Sequence, residues 1–222
     1  DNPSDRPHFV VTTDMEGAYR TLGSACYALY HYVAEGTNER GLFIGVSTNA
    51  SPPEHNEREP DYPEEPAVQV YPMVRIALET CATVEEAVVR FRSVRIWFPY
   101  EVNHLLIADE EGAATIVEFD RERKVVTFQR TEPYLIMTNS AFQEGIDNVR
   151  DNCYRFRNAQ AALKTKGPLH NLENIREIMR IMRITHGPGR TLWTSYFDIR
   201  AREMELRLRS EDFLVPYRFT LE

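Results

Sequence analysis

The chain has 222 residues, of which 42% are hydrophobic, 27% charged and 11% aromatic, as expected for one large soluble domain with a buried core. A net charge of -8 without a long basic block argues against a nucleic-acid or anionic-membrane partner and favours a small-molecule substrate. No apolar run approaches a membrane span and no signal-peptide pattern opens the chain, so we expect a soluble protein and favour a cytoplasmic location. Cys26, Cys81 and Cys153 lie far apart, which predicts reduced, buried thiols.

The first part of the chain alternates and is rich in aromatic and β-branched side chains. Antiparallel strands are therefore predicted within residues 8–13, 19–36 and 41–48, joined by tight turns such as GTNERG. Residues 51–66 read SPPEHNEREPDYPEEP, with five prolines and six acidic side chains, which predicts an exposed irregular loop. A loop of this length fits a lid or pocket wall, and a plain surface insertion fits equally well.

Two helices are predicted after this loop. Four apolar residues share one face of the first helix: Val70, Val74, Ala77 and Leu78. The second helix is predicted to start at Thr83, whose spacing to Glu86 is that of a capping box, so Cys81 between the helices is expected to be structural. A meander of hairpin strands is predicted within residues 103–109, 114–119, 124–130 and 134–138.

A second helical block is predicted over residues 147–165 and 171–185, and strands return within residues 191–198, 202–208 and 215–221. In the middle one of these strands, alternation predicts Met204, Leu206 and Leu208 inward and Glu203, Glu205 and Arg207 outward. Strands and helices are segregated along the chain rather than strictly alternating, which predicts the α+β class. We expect a four-layer αββα sandwich of two antiparallel sheets flanked by helices, formed as a single domain by residues 1–222.

The candidate site has to be found without the common motifs. There is no Gly-rich phosphate loop, no GxSxG, no HExxH and no CxxC, and the histidines lack ligand spacing, so neither a metal nor a cofactor is predicted. Asparagines near predicted strand ends remain: Asn38, Asn49, Asn103 and Asn139. An amide NH2 is a neutral donor that can hold an oxyanion, although Asn is also common in turns. For Asn38 and Asn103 we keep the structural interpretation.

Six blocks of the sequence resemble, in the same order, successive blocks of the N-terminal nucleophile (Ntn) hydrolases. They are EGTNERGLFIGVSTNA, YPMVRIALETCATVEEAV, NHLLIADEEGAATIVEFD, YLIMTNSAF, CYRFRNAQAAL and RTLWTSYFDIRAREMELRL. The similar group is the acyl-coenzyme A:6-aminopenicillanate acyltransferase-like enzymes, which are relatives of the choloylglycine hydrolases, a group that includes penicillin V acylases and bile salt hydrolases. The resemblance implies the αββα fold and a linear-amide hydrolase or acyltransferase that needs no cofactor. It also implies a nucleophilic Cys that becomes the first residue through self-cleavage.

The resemblance also implies roles for individual residues. Asn139 matches the asparagine of a strand-end TN motif whose amide donates to the oxyanion. Asn49, with Thr48 as the alternative, resembles the second polar site near the acyl carbonyl. Arg155, with Arg157 as the alternative, resembles a helix-borne arginine close to the active site. Either arginine also fits an ordinary solvated helix position.

The chain departs from the family pattern at its first residue, because Asp1 is not Cys. The nucleophile-bearing segment is therefore expected upstream, with Asp1 as the last residue of the Arg-Asn-x-Asp type segment that follows the catalytic Cys. Tyr27, Tyr30 and Tyr32, together with the proline-rich loop, are predicted to line an acyl pocket, although at least one face of these tyrosines fits ordinary core. The alternative function is a non-catalytic ligand-binding or structural domain. A homo-oligomer is compatible with the sequence, which does not fix an oligomeric state.

Overall fold

The computed structural model of the chain describes residues 9–25, 33–49, 65–98, 102–166, 172–187 and 190–221. Asp1, Tyr27, Tyr30 and Tyr32 lie outside these ranges, and so does most of the proline-rich loop. None of the helices within these ranges has the length and apolar character that a membrane crossing requires.

Most of the predicted strands are present. In chain order they are β1 (Phe9–Thr13), β2 (Thr21–Ala25), β3 (Val33–Asn38), β4 (Leu42–Thr48), β5 (Val68–Gln69), β6 (Ile96–Trp97), β7 (Asn103–Asp109), β8 (Ala114–Phe119), β9 (Val125–Gln129), β10 (Trp193–Asp198), β11 (Glu203–Leu208) and β12 (Tyr217–Thr220). The large sheet is antiparallel and has the order β1-β2-β3-β4-β7-β8-β9. A smaller antiparallel sheet is formed by β10, β11 and β12, and β5 pairs with β6 in a short parallel ladder.

Local side-chain hydrogen bonds explain several of the predicted turns. Asp120 Oδ1 accepts the backbone N–H groups of Glu122 and Lys124 at 2.9 Å, which closes the turn between β8 and β9. Asn38, the last residue of β3, is wholly buried and makes four hydrogen bonds of 2.7–3.0 Å, two of them to the end of the first helix. The structural interpretation of Asn38 is thereby confirmed, since its amide has no donor or acceptor left over for chemistry.

Helices α1 (Val70–Thr80) and α2 (Val84–Arg92) cover one face of the large sheet. The predicted start of α2 is confirmed, because Thr83 Oγ1 accepts the N–H of Glu86 at 3.2 Å. The Glu86 carboxylate reaches back one residue further than in a standard capping box and accepts the N–H of Ala82 at 2.6 Å. The core under these helices includes Val74, Leu78 and Phe91, which are 0–1% exposed.

The opposite face of the large sheet is covered by the small sheet and by the second helical block. Leu22 from β2 packs between the sheets against Met204 and Leu206 from β11. The helices of this block are α3 (Ile146–Asn152), α4 (Tyr154–Lys166) and α5 (Leu172–Met182). Arg176 on α5 forms an ion pair with Glu205 on β11 at 2.6 Å, which ties the outer helix layer to the small sheet. The α+β class and the αββα sandwich are thus confirmed.

Three local predictions differ from the structure. Residues 134–138 are irregular rather than a strand, and Ile136 with its neighbours packs against the second helical block. The single helix predicted over residues 147–165 is interrupted at Cys153, which is the C-cap of α3 and directly precedes α4. Glu205 lies opposite Met204 and Leu206 as predicted, but its side chain is only 5% exposed because α5 covers that face of the small sheet.

Candidate active site

Asn139 lies where the irregular segment after β9 meets the end of β4. Its Nδ2 atom donates to Ser47 Oγ at 3.1 Å and to the backbone carbonyl of Thr48 at 3.0 Å. These contacts connect positions 91 and 92 residues apart in the sequence. β4 runs beside β7 at the centre of the large sheet, so the site is anchored on a rigid strand end.

Arg155 holds the other end of the same amide. Its Nη2 atom donates to Asn139 Oδ1 at 2.6 Å, a charge-assisted hydrogen bond. The arginine reaches this position because α4 begins at Tyr154, directly after the break at Cys153, and carries Arg155 in its first turn. Arg157 instead donates to the backbone carbonyl of Asp151, so of the two predicted arginines Arg155 is the one that contacts Asn139.

The orientation of the Asn139 amide follows from these partners. A guanidinium can only donate, so the atom facing Arg155 is the oxygen and the atom facing the Thr48 carbonyl is the nitrogen. Withdrawal of electron density by the cation also makes the Nδ2 hydrogens stronger donors. Both hydrogens are directed at protein acceptors in this arrangement, one at a hydroxyl and one at a carbonyl.

Cys153 and Thr138 flank this amide on the helix side. The Cys153 thiol is 8% exposed and lies 3.5 Å from Thr138 Oγ1. Burial by itself raises the pKa of Cys153, but the hydrogen bond with Thr138, the N–H groups of Phe156 and Arg155, and the Arg155 charge lower it below its ordinary value. The thiol thus shares the cationic environment of the asparagine.

Asn49 follows the strand end that Asn139 contacts. It is 2% exposed, and its N–H donates to the carbonyl of Val102 at 2.8 Å. The side chain borders a cavity of about 230 Å³. The other lining residues are Val102, Phe119, Asp120, Arg121, Glu122, Ala141, Gln143 and Glu144. Among the predicted residues, the structure therefore joins Asn139 to Arg155 and places Asn49 one residue beyond the Thr48 carbonyl.

Three further polar groups at this site were not found from the sequence. Ser47 accepts from Asn139, and a buried pair of His104 and Glu118 lies on the neighbouring strands β7 and β8. Glu118 could have been noticed as a charged residue inside the otherwise apolar strand ATIVEF, opposite a histidine across a short predicted hairpin. The described part of the chain contains no cluster of three or more His, Cys, Asp or Glu side chains that could hold a metal ion.

The antiparallel αββα sandwich is the fold of the Ntn-hydrolase-like proteins. The model of the acyl-coenzyme A:6-aminopenicillanic acid acyl-transferase family matches residues 2–212. The chain belongs to this family. A search of curated proteins found no match.

Several solved structures share the fold of this chain. A variant of conjugated bile acid hydrolase from Clostridium perfringens superposes with a TM-score of 0.76 at 14% identity, covering 96% of this chain and 84% of that one. Penicillin V acylase from Agrobacterium tumefaciens gives a TM-score of 0.66 at 21% identity, with 90% and 68% covered. The Caenorhabditis elegans ortholog of N-acylethanolamine-hydrolyzing acid amidase gives 0.55 at 17% identity, with 97% and 87% covered. These likenesses establish the fold, and family membership supports an amide-hydrolysing or acyl-transferring enzyme in general terms.

Proposed function

We propose that this domain hydrolyses, or transfers the acyl group of, a linear amide through an N-terminal cysteine supplied by residues that precede Asp1. The observation that carries the proposal is the Asn139 amide, which is held from both ends between Arg155 and the end of β4. A fixed neutral donor backed by a cation suits the negative charge that develops on a carbonyl oxygen during acyl transfer.

Asn139 acts in this proposal as the oxyanion donor. One of its two Nδ2 hydrogens has to turn from a protein acceptor to the substrate oxygen. The contact with Ser47 Oγ, at 3.1 Å, is the one to exchange, since a neutral hydrogen bond contributes only about 1 kcal/mol net. The contact with the Thr48 carbonyl then keeps the amide in place, while Arg155 keeps its oxygen turned away from the substrate.

The nucleophile follows from the chemistry of a free N-terminus. An α-amino group with a pKa of about 7.7 to 8.0 takes the thiol proton near neutral pH, and the thiolate attacks the amide carbon. The C–N bond breaks when the amine leaves with that proton, and water or a second amine then resolves the thioester. The described cysteines suit this role poorly, because Cys81 and Cys153 are 3% and 8% exposed inside the domain.

The substrate proposed is a small-molecule amide whose acyl group or amine enters beside Asn49. The residues that line the cavity include the apolar Val102, Phe119 and Ala141 and the charged residues of the turn after β8. Its volume of about 230 Å³ suits one part of a small molecule rather than a folded protein partner.

One observation favours the second candidate, a non-catalytic ligand-binding or structural domain. Both Nδ2 hydrogens of Asn139 already have protein acceptors, so the same contacts could simply fasten α4 to the end of β4. In that case removing the amide would lower stability without affecting any chemistry.

The two candidates are separated with the full-length gene product. Its intact mass is measured first, and the proposal expects self-cleavage that leaves Cys as the first residue. Asn139→Ala should then lower the acylation rate about a hundredfold. The matched control Asn158→Ala, at an exposed position on α4, should stay within about twofold. Absence of an N-terminal Cys, or a change below about threefold in Asn139→Ala, would refute the enzyme and support the non-catalytic domain.

A further inference from the structure

A fully buried pair of a histidine and a glutamate lies beside the candidate site on the large sheet. His104 Nδ1 on β7 is 3.0 Å from Glu118 Oε1 on β8, and both side chains are 0% exposed. Burial of a carboxylate is costly unless donors surround it. The donors that surround Glu118 therefore show what the pair holds in place.

Glu118 accepts two backbone N–H groups besides that of the histidine ring. Phe142 N–H donates to Oε1 at 2.7 Å and Gln143 N–H donates to Oε2 at 3.0 Å. These residues form the short 3₁₀ helix Phe142–Glu144, which begins three positions after Asn139. The carboxylate thus fixes the chain just downstream of the asparagine whose side chain is fixed on β4.

His104 contacts the Glu118 carboxylate, and its strand, β7, pairs with β4. Because Glu118 already accepts from two backbone N–H groups, Nδ1 of His104 is the donor in this contact. β7 lies between β8 and β4, and the register partner of His104 on β4 is Ser47, the residue that accepts from Asn139. Nε2 points away from Glu118 and is buried without a partner among the described residues.

We propose that Glu118 and His104 are positioning residues that hold the segment from Thr138 to Gln143 so that the Asn139 amide stays aligned with the reacting carbonyl. This inference rests on the proposed oxyanion role of Asn139. Glu118 contacts the chain that carries Asn139 and His104 contacts Glu118, so the loss of either residue acts through the alignment of Asn139.

The test is a double-mutant cycle in the self-processed full-length protein. Glu118→Gln keeps the shape of the side chain but cannot accept from all three donors, so kcat should fall about 10- to 100-fold, a larger change than the change in KM. In the Asn139→Ala background the same change should alter kcat by less than about twofold, because the group being positioned is gone. Glu111→Gln, in the exposed turn between β7 and β8, is the matched control.

A histidine series tests the same inference independently. His104→Leu removes the donor to Glu118 and should lower kcat about tenfold. His104→Asn retains a donor near the Nδ1 position, lacks Nε2, and should restore kcat to within about threefold of the wild-type value. If the pair had a purely structural role, these variants would change the free energy of unfolding but would not lower kcat more than they change KM.

The outcomes separate the two proposals. If Asn139→Ala has no effect on kcat, the oxyanion role fails and the positioning role fails with it. If Asn139→Ala is strongly impaired but Glu118→Gln lowers kcat equally in both backgrounds, only the positioning role is overturned.

Should Glu118→Gln not fold, His104→Leu takes its place in the cycle. Amide exchange in the unmodified protein gives a check without any variant: Phe142 and Gln143 exchanging as fast as exposed turn amides would overturn the inference.

Discussion

Glu205 gives a quantitative prediction about acid stability. It lies on β11 and accepts from three arginines: Arg176 on α5, Arg207 on the same strand and Arg218 on β12. Burial by itself raises the pKa of Glu205, but these hydrogen bonds outweigh it and lower the pKa from 4.5 to about 2. The carboxylate is therefore stabilised in its charged form by the folded protein.

The magnitude follows from the difference between the two pKa values of Glu205. At about 1.4 kcal/mol for each pH unit, a fall from 4.5 to about 2 corresponds to roughly 3 kcal/mol of folding free energy. Because the folded-state pKa is the lower one, this contribution is complete above about pH 4.5. It is lost as the pH falls from there through about 2, below which the carboxylate is protonated in both states.

The assay is urea unfolding between pH 7 and pH 2 for the wild-type protein and Glu205→Gln. Across the acid range the wild-type protein should lose roughly 3 kcal/mol more unfolding free energy than the variant, which has no carboxylate to protonate at this position. Glu111→Gln, which changes an exposed carboxylate, should follow the wild-type curve. Parallel curves for the wild-type protein and Glu205→Gln would refute the assigned role of the arginine cluster.

Two further predictions concern the candidate site. Ser47→Ala frees one Nδ2 hydrogen of Asn139, so kcat for acylation should stay within about threefold of the wild-type value or rise. A loss above about tenfold would show that the serine itself takes part in acylation. Because the pKa of Cys153 is lowered by Thr138 and its other hydrogen-bond donors, its thiol should alkylate faster than Cys81 at pH 7, as measured by peptide mass spectrometry; equal or reversed rates would contradict that environment.

The sequence predicts elements best where local chemistry determines them. The turn after β8 forms through Asp120 and contacts within a few residues, and Thr83 caps α2 in the same local way. Residues 134–138 illustrate the opposite case. An apolar run of this length can be buried either in a strand or in irregular chain, and only packing against the second helical block decides between them.

Only the part of the candidate site that is local in the sequence could be predicted. Asn139 and Arg155 were identified through the resemblance, and they lie close in the sequence. Their anchor on β4 could not be predicted from periodicity, since Ser47 and the Thr48 carbonyl are more than 90 residues away from Asn139. The exposure of Glu205 was mispredicted because alternation along a strand assigns the face but does not show that α5 covers it.

The candidate site lies at the contact between two separately packed regions. Asn139 is held on one side by β4, whose residues belong to the core beneath α1 and α2. On the other side it is held by α4, whose start packs in the cluster that includes Cys153 and Phe156. A substitution that loosens either core therefore moves one end of the amide relative to the other. We infer that the alignment of this amide is more sensitive to packing changes than either core is alone, because a hydrogen bond weakens steeply with misalignment that a hydrophobic core can absorb.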